Sequence, residues 1–104
     1  MREAMTAKET IIVENVNVPG YTSRVDAQKY TAMREAILQV TPPTPPGLTA
    51  KEMLERLKPL LPPELWPSGE KAGWWHKTVQ LDLEAKGILV RDEQSKPLRW
   101  RRMA

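Results

Sequence analysis

A chain of 104 residues makes one domain with one core, because a domain of this size buries roughly two thirds of its unfolded surface. It holds no Cys, which excludes disulfides, thiolate zinc sites and thiol catalysis, and it has neither a secretory leader nor the roughly 20 apolar residues that span a bilayer, so a cytoplasmic protein without membrane contact is expected. The net charge of +3 comes from 16 basic and 13 acidic side chains, and the stretch from Lys86 onward, with six basic and two acidic groups, carries the whole excess.

Residues 1 to about 10 are polar and without period, which predicts a frayed start. From Thr10 the chain reads as extended, Val16 and Val18 alternating with Asn15 and Asn17 until Pro19-Gly20 stops it. Residues 1–20 are thus expected to be a flexible start and an extended arm, lying on the core, on the C-terminal hairpin or on a partner subunit, with residues 21–104 as the domain proper. At Asp26 the period becomes helical: Tyr30, Met33, Ile37 and Val40 share one face, and Gln28, Lys29, Arg34, Glu35 and Gln39 take the others. Thr41-Pro-Pro-Thr-Pro-Pro-Gly47 ends this helix, because proline denies the ladder its donor, and it serves as a stiff connector.

Thr49-Ala-Lys-Glu52 has the spacing of a capping box and starts a second helix, with Met53, Leu54 and Leu57 on its apolar stripe and Pro59 limiting it to about two turns. An irregular, proline-rich loop follows, anchored by Leu65 and Trp66. A third helix starts between Ser68 and Ala72. Its core stripe is Trp75, Val79 and Leu83, with Trp74, Thr78, Leu81 and Ala85 beside it, and Gly87 stands where a left-handed cap belongs. Gly73 is expected to admit a close neighbour. Ile88 to Val90 and Leu98 to Arg101 read as two strands around a polar turn, with Leu98 and Trp100 facing in and Arg99 and Arg101 facing out. The fold class is mainly α with a small antiparallel β hairpin.

Three helices, the last closing with Leu83-Glu-Ala-Lys-Gly-Ile-Leu89, followed by a hairpin, resemble the winged helix-turn-helix superfamily of transcription regulators. That resemblance implies a three-helix core, a C-terminal wing and an extended N-terminal arm. Glu14-Asn15, Pro19-Gly-Tyr21, Gly73-Trp-Trp75, Lys77-Thr-Val-Gln-Leu-Asp-Leu-Glu-Ala-Lys-Gly87 and Pro97-Leu-Arg-Trp100 are also similar to a small bacterial family of one-domain proteins. This second similarity covers residues 14–102 and carries no known activity. The link between helices two and three, about ten residues against the three or four of a standard helix-turn-helix, departs from the superfamily pattern.

If the superfamily's docking applies, double-stranded DNA is the partner. Helix three would then present Lys71, His76, Lys77 and Gln80 to base edges, and the wing would set Arg91, Lys96, Arg99, Arg101 and Arg102 near phosphates. Asp82 and Glu84 on the same helix oppose that reading, since carboxylates repel phosphate. The alternative is a protein-association or homodimerisation module. Four Trp in so short a chain suggest it, with Trp74 and Trp66 as partner-binding candidates, because adjacent Trp74 and Trp75 point about 100° apart and cannot both enter one core. No enzyme, metal or cofactor is expected: His76 has no second imidazole or nucleophile motif beside it, and no glycine-rich phosphate loop is present.

Overall fold

The computed structural model describes residues 9–103. Most of the expected frayed start lies outside them. Strands β1 (Thr10–Glu14) and β2 (Thr22–Asp26) form an antiparallel hairpin in which Ile11 opposes Val25 and Val13 opposes Ser23. Period-two alternation sends Ile11, Val13 and Val25 towards the core and leaves Ile12 outside. Of the extended arm expected over residues 1–20, the described part is extended over Thr10–Glu14 and lies on the core, as one strand of this hairpin. Val16 and Val18, expected within the extended run, sit exposed in its turn, where Asn15 accepts from the amides of Asn17 and Val18. Alternate Val and Asn suit an exposed turn as well as a strand, and β2, with Val25 as its one large apolar residue, has no period to signal it.

Helix α1 (Ala27–Val40) starts where the Asp26 carboxylate accepts from the amide of Lys29, and it buries Tyr30, Met33, Ala36 and Ile37. It ends at Thr41, whose amide and hydroxyl both donate to the carbonyl of Ile37. The proline connector delivers the chain to a two-residue strand, β3 (Leu48–Thr49), that the sequence did not signal. Helix α2 (Ala50–Leu57) begins with the full capping box between Thr49 and Glu52 and buries Met53 and Leu57. The link from α2 to α3 runs over residues 58–71, longer than expected, through one-turn 3-10 segments at Lys58–Leu60 and Pro67–Gly69.

Helix α3 (Ala72–Ala85) carries Trp75, Val79 and Leu83 into the centre of the core, and Gly87, at φ +75°, ends it as expected. Strands β4 (Leu89–Asp92) and β5 (Arg99–Arg102) then pair antiparallel, with Arg91 opposite Trp100. On its other side β5 pairs with β3, Leu48 opposite Trp100, so the sheet order is β3-β5-β4 and the chain's last strand is the central one. Three helices and two small antiparallel sheets thus share a single core. Among the described residues no helix is long and apolar enough to cross a membrane.

Candidate interaction surface

The outward side of α3 is where sequence reasoning placed recognition residues, and the structure divides them. Lys71 and Lys77 are exposed. His76 and Gln80 are not: they retain 4 % and 5 % of their accessible surface, and His76 Nε2 lies 3.1 Å from the Met53 sulfur on α2. Both are corrected from base-edge candidates to inward residues. The cause is helical geometry, since His76 is adjacent to Trp75 and three positions before Val79, and Gln80 is four beyond His76. Burial pushes the His76 pKa down to about 4, an effect that Gln80 only partly offsets.

The two aromatic candidates also part company. Trp66 is 3 % exposed and meets Trp75 edge-on with ring centroids 6.1 Å apart, which corrects its assignment to a partner surface. Trp74 keeps 56 % of its surface and is itself held edge-on against Trp75 at 5.2 Å. Beside it a small cleft of ≈ 170 Å³ runs between α3 and the β1-β2 hairpin, with Tyr21, Thr78 and Leu81 in its walls. Tyr21 is exposed, so the surface around Trp74 holds two aromatic rings.

Of the five cations expected on the wing, three are engaged within the chain. Arg91 forks onto Glu84 at 2.8 and 3.3 Å, Arg99 donates to the Gly47 carbonyl and approaches Glu52 at 3.3 Å, and Arg102 donates to the Thr41 carbonyl at 2.6 Å. They fasten the sheet to α3, to α2 and to the proline connector, so each of these three already has a partner within the chain. Because β5 is central, its side chains face neighbouring elements that a two-stranded ribbon would lack. Glu52 in turn has its pKa lowered, first by the Thr49 backbone amide that it accepts from and then by Arg99. Lys96 is exposed and Arg101 half-buried, and neither side chain has a hydrogen bond or ion pair among the described residues.

Asp82, expected on the surface as a repellent to phosphate, is fully buried at 0 % exposure. It accepts from the amide of Glu14 at 2.8 Å, from the Tyr30 hydroxyl and from Lys86 at 2.6 Å, so a single carboxylate ties the hairpin, α1 and the end of α3 together. Burial first, and the Asp82 contact second, push the Tyr30 hydroxyl pKa well above its ordinary 10. The sequence held a signal for this role, because Asp82 falls three positions after Val79 and shares its inward stripe. Leu98, expected to face in with Trp100, is exposed, since it precedes β5 and no strand holds its direction. Among the described residues no group of three or more His, Asp or Glu is placed to hold a metal ion.

These elements define a small three-helix domain with two antiparallel sheets and an aromatic, mixed-charge face on its third helix. The chain belongs to the Family of unknown function (DUF6958), whose pattern matches residues 10–100. No curated protein matches it, and no solved structure does.

Proposed function

We propose that this is a winged-helix domain that works by protein association, its partner a second copy of the same chain, with α3 as the docking element. Support for the winged-helix reading comes from the order α1-β3-α2-α3-β4-β5 together with the sheet order β3-β5-β4, in which the β4-β5 hairpin follows α3 as a wing. The observation that carries the association reading is Trp74: a large ring, more than half exposed, braced edge-on by Trp75. A braced ring loses little conformational entropy on docking, and Trp is the residue type most enriched at interface hot spots. Glu14 lines the cleft beside this ring, and Lys71 and Lys77 stand three positions before and after it in the chain, so charges of both signs accompany it. A twofold-related copy would bring Lys against Glu across the contact, a self-complementarity that a polyanion cannot offer.

Sedimentation equilibrium between roughly 1 and 100 μM tests this. Wild type is expected to dimerise, and Trp74→Ala to weaken the dimer by about 2 kcal/mol, or roughly thirtyfold, with helix content unchanged. A wild type that stays monomeric at the upper concentration removes the self-association reading.

A second reading, binding to duplex DNA, is favoured by one observation. Lys71, Lys77, Lys96 and Arg101 have no intrachain side-chain partner among the described residues. Four phosphate contacts correspond to a salt slope of about −3.6. Fluorescence anisotropy with a random-sequence duplex at roughly 50 mM salt, comparing wild type with Lys96→Ala/Arg101→Ala, decides it. A lower slope in the variant supports clamping by the wing, and equal slopes reject it. Arg99 and Arg102 are unsuitable for that experiment, because removing them also unfastens the sheet.

A further inference from the structure

The hairpin that opens the fold presents an open edge. Strand β2 pairs with β1 alone, in a sheet of two strands. Along an antiparallel pair, alternate residues turn their N–H and C=O groups towards the neighbouring strand and away from it. The Ala27 amide donates to the Glu9 carbonyl, which fixes the phase: Ile11 bonds with Val25 and Val13 with Ser23, while Thr22 and Arg24 on β2 and Glu14 on β1 direct their main-chain groups outwards. Glu14 obeys this phase, because its amide is taken by Asp82 outside the sheet. Thr22 and Arg24 are exposed, and nothing among the described residues takes up their outward main-chain groups.

This edge adjoins the Trp74 surface. Tyr21, Ser23 and Val25, which alternate with Thr22 and Arg24 and so face the other side of the hairpin, line the cleft in which Trp74 stands. A strand laid along β2 therefore extends the same surface that carries the exposed ring.

We infer that β2 is the strand through which two copies of this chain join. On the association reading, on which this rests, the two β2 edges pair antiparallel across the twofold axis into a four-stranded sheet of order β1-β2-β2-β1, with Ser23 opposite Ser23 on the axis. Charge and chain path select that register. Placing Arg24 on the axis sets two like charges face to face, which destabilises a strand pair. Placing Val25 there runs the pairing past Asp26 into α1, and placing Thr22 there runs it into the Pro19-Gly20 turn. With Ser23 on the axis the pairing stays within residues 21–25. Each Arg24 then lies opposite Thr22 of the partner subunit, and beyond that short side chain comes Glu14 of the partner subunit, since Glu14 opposes Thr22 within each hairpin. Arg24 thus joins the lysines as a cation facing Glu14. On the cleft side, the exposed Tyr21 ring comes opposite Val25 of the partner subunit.

The chain has no Cys, so single cysteines report the register. Facing residues without main-chain bonds between them, as the two Ser23 would be, stand about 4.5 Å apart at Cα, within reach of a disulfide. In oxidised glutathione, Ser23→Cys is expected to form a covalent dimer at least about tenfold faster than Arg24→Cys, whose copies stand two residues out of register although that position is the more exposed. In sedimentation equilibrium, Thr22→Lys, which sets an ammonium opposite Arg24 of the partner subunit, is expected to weaken the dimer about fivefold, and Thr22→Lys/Arg24→Glu to restore it. Both side chains point to solvent, so neither change disturbs the core. If Ser23→Cys cross-links no faster than Arg24→Cys, or if Thr22→Lys leaves the dimer as tight as wild type while Trp74→Ala still weakens it, the strand pairing is overturned and association through α3 stands. A wild type that is monomeric throughout the sedimentation range removes both.

Discussion

His76 shows how one buried position changes what a residue does. A neutral imidazole against the Met53 sulfur is a packing group with a pH limit, because its pKa falls from the ordinary 6.5 to about 4 in the fold. The unfolded chain takes up the proton near 6.5 and the folded chain only near 4, so the folded state is penalised as pH falls through that window. The His76 contribution is therefore undiminished above pH 6.5, declines between 6.5 and 4, and is flat below, a loss of roughly 3 kcal/mol in all. Urea denaturation at pH 7 and pH 4.5 is expected to show a larger drop in stability for wild type than for His76→Leu. Equal drops would mean that the ring reaches water in the native state. Arg91, Arg99 and Arg102 teach the same lesson with opposite polarity: their charge was plain from the sequence, but the carbonyls and carboxylates that receive them lie up to 61 residues away.

At the level of elements, two glycines that look alike in the sequence have opposite requirements. Gly47, at φ +80°, passes beneath the Trp100 carbonyl, and an added Cβ would lie 2.2 Å from that oxygen. Both the backbone conformation and the contact forbid a side chain, so Gly47→Ala is expected to cost more than about 2 kcal/mol and to loosen β3 from β5. Gly73, expected from the sequence to permit a close approach, has room beside it within a regular helix, and Gly73→Ala is expected to stabilise α3 by up to about 1 kcal/mol. Thermal melts of the two variants are predicted to move in opposite directions, and a common direction would contradict the geometry. The capping box at Thr49 was legible because all its parts lie within four residues. Strand β3 was not, because two residues form a strand only when β5, half the chain away, comes alongside.

For the molecule as a whole, the hairpin decides where the folded unit begins. Val13 is buried, and the amide of Glu14 is fixed on Asp82, so β1 belongs to the same core as α3. Deleting residues 1–20 removes β1, unpairs β2 and exposes Val25 and the Asp82 cluster; the shortened chain is expected to lose several kcal/mol, or to fail to fold cooperatively. A truncated protein that melts within a few degrees of the full chain would restore the arm as an appendage.

Local order and the core stripes were readable from residues in sequence: the Asp26 and Thr49 starts, the Gly87 stop, the proline connector, and the Trp75, Val79 and Leu83 ridge all depend on neighbours within a few positions. Period and capping are short-range physics, so they survive without a three-dimensional context. What the inward polar groups bond to, which arginines are fastened, which tryptophan stays outside and whether the first strand pairs were settled only when distant segments met. Hydrogen-bond pairing and the covering of a side chain by another element are properties of contact between those segments, and no local pattern encodes them.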